Sequence, residues 1–221
     1  MNETQILEKT KAHVKALLKD ETTGHDWWHT CRVWKNAVNI ARAENNVDLF
    51  VLQLAALLHD VGDWKFARGD EESGPAQIKE WLQTQHVNTD VIEKVIEIIS
   101  TIAFKGPAKR SVVKTNEAKI LQDADRLDAL GAIGIARAFA SGQKFGQVLH
   151  EPSIKPRLKA DPEEYKKQYT GEMKNTTVNH FYEKLLLLKD QMNTKRGRQI
   201  AEKKHQFMEN YLKEFFNEWD D

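Results

Sequence analysis

Two histidines and two aspartates in this chain are of the types that hold a metal ion. His59 and Asp60 stand side by side directly after the apolar run Leu54–Leu58, His29 lies upstream, and Asp125 lies downstream. Burying an ionisable pair beside such a run costs several kcal/mol unless another group compensates. Imidazoles and carboxylates suit Mn²⁺, Fe²⁺, Ni²⁺ or Zn²⁺, and a set of four leaves positions open for water and substrate. The pattern therefore predicts a centre for a divalent ion.

These four side chains come from separate predicted helices. His29 lies early in the second helix, His59 and Asp60 lie near the end of the third, and Asp125 lies on a helix much later in the chain. Neighbouring residues on a helix point about 100° apart, so His59 and Asp60 reach one ion only if it sits in the crevice between them. Ligands from three packed elements would fix an ion more rigidly than ligands from one loop.

Most of the chain shows apolar residues at helical spacing, and no convincing run alternates as a strand does. We therefore predict an all-α chain that forms a single compact helical bundle over residues 1–221, with its metal-site core at about 20–135. Helices are predicted over about 6–18, 27–44, 49–61, 73 onward, 89–104, 116 onward, 176–188 and 195–219.

Small residues are expected to interrupt this pattern in two places. The helix that carries Asp125 is predicted to break or bend at Gly131 and Gly134. Residues 142–175 contain several glycines and prolines with little periodicity, so we predict a long excursion with short helical pieces. A loop of that size in a compact domain is usually functional or poorly ordered. C-terminal helices then cover 176–219.

The composition argues against a binder of polyanions. Lys plus Arg and Asp plus Glu both number 33, so the formal net charge is +0 and no general attraction to nucleic acid or anionic membranes is expected. The basic cluster within 195–204 is interpreted as a solvated helix face. The single cysteine, Cys31, excludes an intramolecular disulfide and fits a reducing compartment. No signal peptide or membrane-spanning run is evident, so we expect a cytoplasmic location.

Three motifs carry a resemblance to a known family. They are Gly24–His29 followed by Arg32-Val33, then Leu54–Asp63, and then Asp123–Ala129. Over most of its length the chain resembles the HD superfamily of metal-dependent phosphohydrolases, and more narrowly a bacterial branch of stand-alone HD proteins. The resemblance implies a helical bundle of the HD-domain type and the binding of one divalent ion by His29, His59, Asp60 and Asp125. It also implies hydrolysis of a phosphoester or phosphoanhydride, with nucleotides as the usual substrates.

Three aspartates compete for the last ligand position. Asp125 matches the Ala-Asp-Arg-Leu pattern of the relatives, and we choose it over Asp123 and Asp128 for that reason. Asp128 lies three residues further on and could support the site from a neighbouring position on the same helix face.

Asp63 and Lys65 follow the His-Asp pair and have two interpretations each. Asp63, three places after Asp60, either orients the attacking water or acts as general base, a role implied by similar HD nucleotidases, or is a plain turn residue. Lys65 either holds the leaving phosphate or is an exposed loop lysine.

Three further residues are candidates for substrate contacts. His25 either contacts phosphate at the mouth of the pocket or orients the start of the helix together with Asp26. His180 and Lys184 are predicted to share a helix face one turn apart, and the resemblance hints that they line the pocket. The alternative for this pair is an ordinary amphipathic surface.

The sequence favours an enzyme that hydrolyses nucleotides with metal-activated water. We favour cleavage of a nucleoside triphosphate to monophosphate and pyrophosphate, because Lys65, Lys184 and the 142–175 excursion could accommodate a polyphosphate. Mn²⁺ is the favoured ion, with Ni²⁺, Fe²⁺, Co²⁺, Zn²⁺ and Mg²⁺ open. A nucleoside monophosphatase, a phosphodiesterase and a non-catalytic metal- or nucleotide-binding regulatory module stay as alternatives. The expected partner is a small nucleotide, without nucleic acid or membrane, and a homodimer stays open.

Overall fold

The computed structural model describes residues 2–61, 73–104, 107 and 112–220. These residues form ten α-helices and no β-strand, which confirms the predicted all-α class. The helices are α1 (Glu3–Leu17), α2 (Trp27–Ala41), α3 (Leu49–Leu58), α4 (Ser73–Thr84), α5 (Thr89–Thr101), α6 (Asn116–Asp128), α7 (Gly131–Lys144), α8 (Pro162–Thr170), α9 (Thr177–Glu183) and α10 (Lys195–Asp220). Among the helices of these ranges, none has both the length and the apolar character needed to cross a bilayer.

Contacts within the chain group its residues into two compact units. Unit 1 contains Met1–Ala103 and Ser111–Ala124, and unit 2 contains Phe104–Arg110 and Asp125–Asp221. Helix α6 runs without a break past Ala124, so Asp125 directly continues a helix that belongs mostly to unit 1. The assignment of residues 1–221 to a single domain stays a prediction.

Helix α3 is the centre of unit 1. It packs against α1, α2 and α5, and seven of its ten residues are buried. A helix that is apolar on every side is held only when neighbours cover it all round. Because His59 and Asp60 come directly after Leu58, the end of this buried helix fixes where their backbone lies.

Local caps begin the helices that carry the candidate ligands. The Asp26 carboxylate accepts a hydrogen bond from the His29 backbone N–H at 2.9 Å, which starts α2 as predicted. The Asp48 carboxylate likewise accepts from the Val51 N–H at 3.1 Å and starts α3. Helix α2 ends at Ala41, three residues before the predicted end.

Helices α5 and α3 also end earlier than their sequence patterns predict. Helix α5 ends at Thr101 rather than near residue 104, and its last hydroxyls, on Ser100 and Thr101, donate back to carbonyl oxygens of the preceding turn. Helix α3 ends at Leu58, followed by a turn in which the Val61 N–H donates to the Leu58 carbonyl at 3.0 Å. The predicted stop at Gly62 lies outside the described residues.

Three glycines of unit 2 have two different roles: one separates two helices, and two lie where the chain packs closely. Gly131 has a φ of +74° and separates α6 from α7, as predicted. The predicted bend at Gly134 is wrong, because Gly134 lies inside α7, and the excursion predicted from residue 142 begins only after α7 ends at Lys144. A Cβ on Gly134 would lie 2.2 Å from the Ala129 carbonyl oxygen, and one on Gly142 would lie 2.2 Å from Thr177 Oγ1. These glycines permit close approach rather than a turn.

A buried polar network ties the 142–175 segment to α9. One carboxylate oxygen of Glu183 accepts from the Arg157 N–H at 2.7 Å, and the other accepts from Asn175 Nδ2 at 2.8 Å. Asn175 Nδ2 also donates to Gln168 Oε1 at 2.7 Å. Burial raises the pKa of Glu183, although the hydrogen bonds from Arg157 and Asn175 act in the opposite direction. The segment contains α8, one helical piece of the kind predicted for it.

Helix α9 ends at Glu183, five residues before the predicted end at Leu188. A 3-10 turn follows over Leu185–Leu187. Because residues three apart share a side in a 3-10 turn, Leu185 and Leu188 both point to the interior, where they are 3% and 0% exposed. Burial of these two leucines explains the change of helix type.

Candidate metal centre

Two imidazoles of unit 1 face each other through their Nε2 atoms. His29 Nε2 lies 3.2 Å from His59 Nε2, and the rings meet edge to face. His29 is fully buried and His59 is 9% exposed. The Nδ1–H of His59 donates to the Ala56 carbonyl oxygen at 2.9 Å. Since Nδ1 carries the proton of the neutral ring, the His59 lone pair at Nε2 is directed toward His29.

The Asp60 carboxylate lies against both imidazoles. Its Oδ2 is 3.2 Å from His29 Nε2, and its Oδ1 is 3.5 Å from His59 Nε2. Within the described part of the chain, the buried Oδ2 accepts no hydrogen bond. Burial by itself raises the pKa of the Asp60 carboxyl, but the nearby imidazoles, His59 foremost, outweigh burial and hold this pKa well below its ordinary value. The group is therefore an anion at neutral pH.

Helix α6 brings one carboxylate to the two imidazoles. His29, His59 and Asp125 each offer a ligand atom, and these three atoms lie within 4.8 Å of one another. The competing Asp128 instead pairs with Arg137 at 3.1 Å, inside unit 2. Asp123 is fully buried on the same helix. Of the three aspartates weighed from the sequence, Asp125 is the one found in this cluster.

This donor set fits a divalent cation. Two imidazole nitrogens and carboxylate oxygens converge on one place, and one of those oxygens is buried without a hydrogen bond among the described residues. Buried anionic oxygens are strongly unfavourable unless a cation or a donor satisfies them. Nitrogen and oxygen ligands in this combination suit Mn²⁺, Fe²⁺, Co²⁺, Ni²⁺ and Zn²⁺.

His25 lies beside the cluster. Its ring centroid is 5.5 Å from that of His29, with the planes at 73°. Its Nδ1 is 3.1 Å from the hydroxyl of Thr23, which is 1% exposed. His25 itself is half-buried. The structure therefore puts the predicted phosphate contact next to the candidate ligands, and the contact itself stays a prediction.

Of the other predicted site residues, two lie outside the described residues and two lie in unit 2. Asp63 and Lys65 lie outside the described residues. His180 is half-buried on α9 of unit 2, and the Lys184 N–H donates to its carbonyl oxygen at 3.0 Å. The Lys184 ammonium lies 5.4 Å from the centre of the Phe104 ring, a cation–π distance. Helix α9 ends at Glu183, so Lys184 lies one residue beyond it. The prediction that His180 and Lys184 lie within one helix is therefore wrong.

The sequence does not reveal two contacts that orient the imidazoles. One is the Ala56 carbonyl, which selects the His59 tautomer, and the other is the Thr23 hydroxyl beside His25. Every residue carries a carbonyl, so nothing in the sequence marks Ala56 as an acceptor.

An all-α chain whose histidines and aspartates meet at the end of a buried helix matches known proteins. Residues 27–130 match the sequence profile of the HD domain. The chain is 34% identical over 215 residues to the uncharacterized protein YpgQ of Bacillus subtilis, which spans 97% of this chain and 94% of that protein. The chain belongs to the HD superfamily of hydrolases.

Solved structures agree along the whole chain. A Lactobacillus plantarum protein has a TM-score of 0.86 at 30% identity, covering 98% of this chain and 97% of its own. An HD-superfamily hydrolase from Bacillus thuringiensis has a TM-score of 0.73 at 38% identity, covering 99% of both chains. Bacillus subtilis YpgQ in complex with ADP has a TM-score of 0.74 at 32% identity, covering 99% of this chain and 97% of that one.

Proposed function

We propose that this chain is a metal-dependent phosphohydrolase that converts a nucleoside triphosphate to its monophosphate and pyrophosphate. One observation carries the proposal: two Nε2 atoms lie 3.2 Å apart, with a buried carboxylate oxygen 3.2 Å from one of them. Imidazole nitrogens and a carboxylate oxygen gathered at one buried place are the ligand types that a divalent cation binds.

Four side chains would hold the ion in a fixed geometry. His29, His59, Asp60 and Asp125 are the proposed ligands of one divalent ion, with Mn²⁺ favoured. When bound, such an ion lowers the pKa of a water molecule and polarises a phosphoryl oxygen. The Ala56 carbonyl keeps the His59 lone pair on Nε2, which is the atom a cation needs.

Substrate binding and proton transfer are assigned to other residues. We assign the general base to Asp63, which would take the proton of the attacking water as its oxygen forms a bond to the α-phosphorus. The bond from the α-phosphorus to the oxygen that bridges to the β-phosphorus would break, and pyrophosphate would leave with that oxygen. We assign phosphate contacts to His25, Lys65, His180 and Lys184. Nucleotide binding is supported by the relative YpgQ, whose structure contains ADP. Release of pyrophosphate rather than phosphate is the more specific part of the proposal.

An assay of a nucleotide panel tests the reaction. Purified protein is incubated with nucleoside mono-, di- and triphosphates and cyclic nucleotides in Mn²⁺, Mg²⁺, Ni²⁺ or Co²⁺, and products are separated by ion-exchange chromatography. Monophosphate with pyrophosphate is the expected result. Orthophosphate from monophosphates would instead identify a monophosphatase, and cyclic substrates a phosphodiesterase. Saturable nucleotide binding without any product would identify a regulatory module and overturn the enzyme proposal.

Asp60→Asn tests the metal site directly. The amide is isosteric but neutral and has one acceptor fewer, so we expect metal binding to fail and turnover to fall by orders of magnitude. His86→Asn is the matched control, because His86 is exposed and its φ of 56° is one that asparagine tolerates. Circular dichroism checks that both variants fold. Full activity of Asp60→Asn would remove this carboxylate from the site.

The amino-acid composition supports two further parts of the proposal, the cellular location and the binding partners. The single Cys31 and the balanced charge are the grounds for a cytoplasmic location and a small-molecule partner without nucleic acid or membrane. A homodimer stays open, and size-exclusion chromatography with light scattering decides it.

A further inference from the structure

Trp28 is a large aromatic side chain that the fold leaves in solvent. It is 62% exposed, more than any other tryptophan in the described ranges, and Trp219 follows at 44%. An indole ring is among the largest apolar surfaces that a side chain offers, and proteins usually cover most of it. The neighbouring residue His29, by contrast, is fully buried.

Trp28 is also rigidly connected to the candidate metal centre. It lies in the first turn of α2, where Asp26 caps the helix and accepts from the backbone N–H of His29. Adjacent Cα atoms are about 3.8 Å apart, and adjacent side chains on a helix diverge by about 100°. The exposed ring therefore projects from the helix directly beside a ligand that points inward.

The chemistry of the two neighbouring features is complementary. The imidazoles and carboxylates of the centre suit an ion and the phosphates that such an ion attracts, and the buried rings of His29 and His59 leave no exposed face for a nucleobase. An exposed indole offers that surface, and stacking on it tolerates any base because every base has a π face. A nucleotide has both parts in one molecule.

We propose that Trp28 is the stacking platform for the nucleobase of the substrate. This inference rests on the proposed function and deepens it, because it assigns the source of nucleotide affinity that phosphate contacts cannot supply. It also predicts the base preference: larger purine rings should bind more tightly than pyrimidines. Stacking should not distinguish bases by the hydrogen-bonding groups on their edges.

Equilibrium binding separates the base from the phosphates. The probes are an ATP analogue and a CTP analogue, each with a methylene group between the α and β phosphorus atoms, and inorganic tripolyphosphate, all with Mn²⁺. Titration calorimetry is performed on the native chain, on Trp28→Ala and on Trp28→Phe. Trp219→Ala is the matched control, an exposed tryptophan on α10 of unit 2.

The inference gives a distinct result for each ligand. Trp28→Ala should weaken the two nucleotide analogues by about 5- to 100-fold, with the larger loss for the purine, and should leave tripolyphosphate within about twofold. Trp28→Phe should keep most of the affinity, and Trp219→Ala should behave as the native chain. An equal loss for tripolyphosphate, no loss for nucleotides, or no nucleotide binding by the native chain would each overturn the inference.

Failure of the inference is distinguishable from failure of the proposed function. If nucleotides are hydrolysed but Trp28→Ala leaves kcat/KM unchanged, the stacking role of Trp28 is wrong and the proposed hydrolase activity is retained. If nucleotides bind through Trp28 but no product forms, the hydrolase proposal fails and the platform stands.

Discussion

The substitution Gly142→Ala tests the close packing of α7 against α9. A Cβ at Gly142 would lie 2.2 Å from Thr177 Oγ1, far inside van der Waals contact, and Thr177 is only 1% exposed. Overpacking of this kind costs about 1–3 kcal/mol. Alanine in a helix gains about 0.5–1 kcal/mol over glycine. We therefore expect the free energy of unfolding to fall by about 1 kcal/mol, the difference between the midpoints of these two ranges.

Removal of the Thr177 hydroxyl should reverse the sign of this effect. In a Thr177→Ala background the oxygen at 2.2 Å is absent. Only the gain in helix propensity is then left, so Gly142→Ala should be neutral or stabilising by up to about 1 kcal/mol. Ala140→Gly, at an exposed position of α7, measures the propensity of this helix separately. Urea unfolding followed by circular dichroism gives each free energy. The same loss from Gly142→Ala in both backgrounds would refute the reasoning.

Two further predictions concern a buried carboxyl and the ion. Glu183→Gln should lower the free energy of unfolding by about 1–3 kcal/mol, because the new NH₂ group would face a donor, either the Arg157 N–H or Asn175 Nδ2. Burial raises the pKa of Glu183 above its ordinary 4.5, so the folded chain holds this proton more tightly than the unfolded chain. Proton binding therefore stabilises the fold at low pH. This stabilisation is lost as pH rises from about 4.5 through the raised pKa. Urea midpoints measured across that range should show this contribution for the native chain and lack it for Glu183→Gln. Separately, Mn²⁺ at about 100 times its Kd should add about 2.7 kcal/mol to the free energy of unfolding. His29→Asn should abolish that gain and His86→Asn should retain it, so an undiminished gain in His29→Asn would contradict the ligand role.

Helix beginnings are predictable from this sequence because their caps act locally. Asp26, Asp48 and Thr115 each accept a hydrogen bond from the backbone N–H three residues ahead. Helix ends depend more on distant partners. The carbonyl of Ile102, just after α5, accepts from Gln122 Nε2, twenty residues along the chain. A prediction made from neighbouring residues alone does not find such a helix end.

The roles of the glycines also could not be predicted from neighbouring residues alone. Gly131, Gly134 and Gly142 look alike as interruptions of an apolar pattern, and only the first adopts a positive φ. Gly134 makes room for the Ala129 carbonyl just before the helix, and Gly142 makes room for Thr177 of α9. Sequence spacing gives no distance between α7 and α9, so it cannot separate these two uses of glycine.

The candidate site was predictable in its members but not in its support. His29, His59, Asp60 and Asp125 follow from residue type, order and family pattern, and the structure brings them into contact or into one cluster. The tautomer of His59 depends on a backbone carbonyl, a group that every residue carries. Which nitrogen of His59 carries the proton could therefore be determined only from the three-dimensional structure.

The placement of the site explains how metal binding and base preference could vary independently. His59 follows a helix buried on every side, and His29 follows a capped helix start, so packing inside unit 1 holds two nitrogen atoms 3.2 Å apart before any ion arrives. A ligand pair that is already ordered loses little entropy on binding, which favours tight and selective metal binding. Trp28 shares the helix turn but has its ring mostly in solvent. If Trp28 holds the base as proposed, changing its ring would alter substrate preference without loss of the fold or of the proposed metal site.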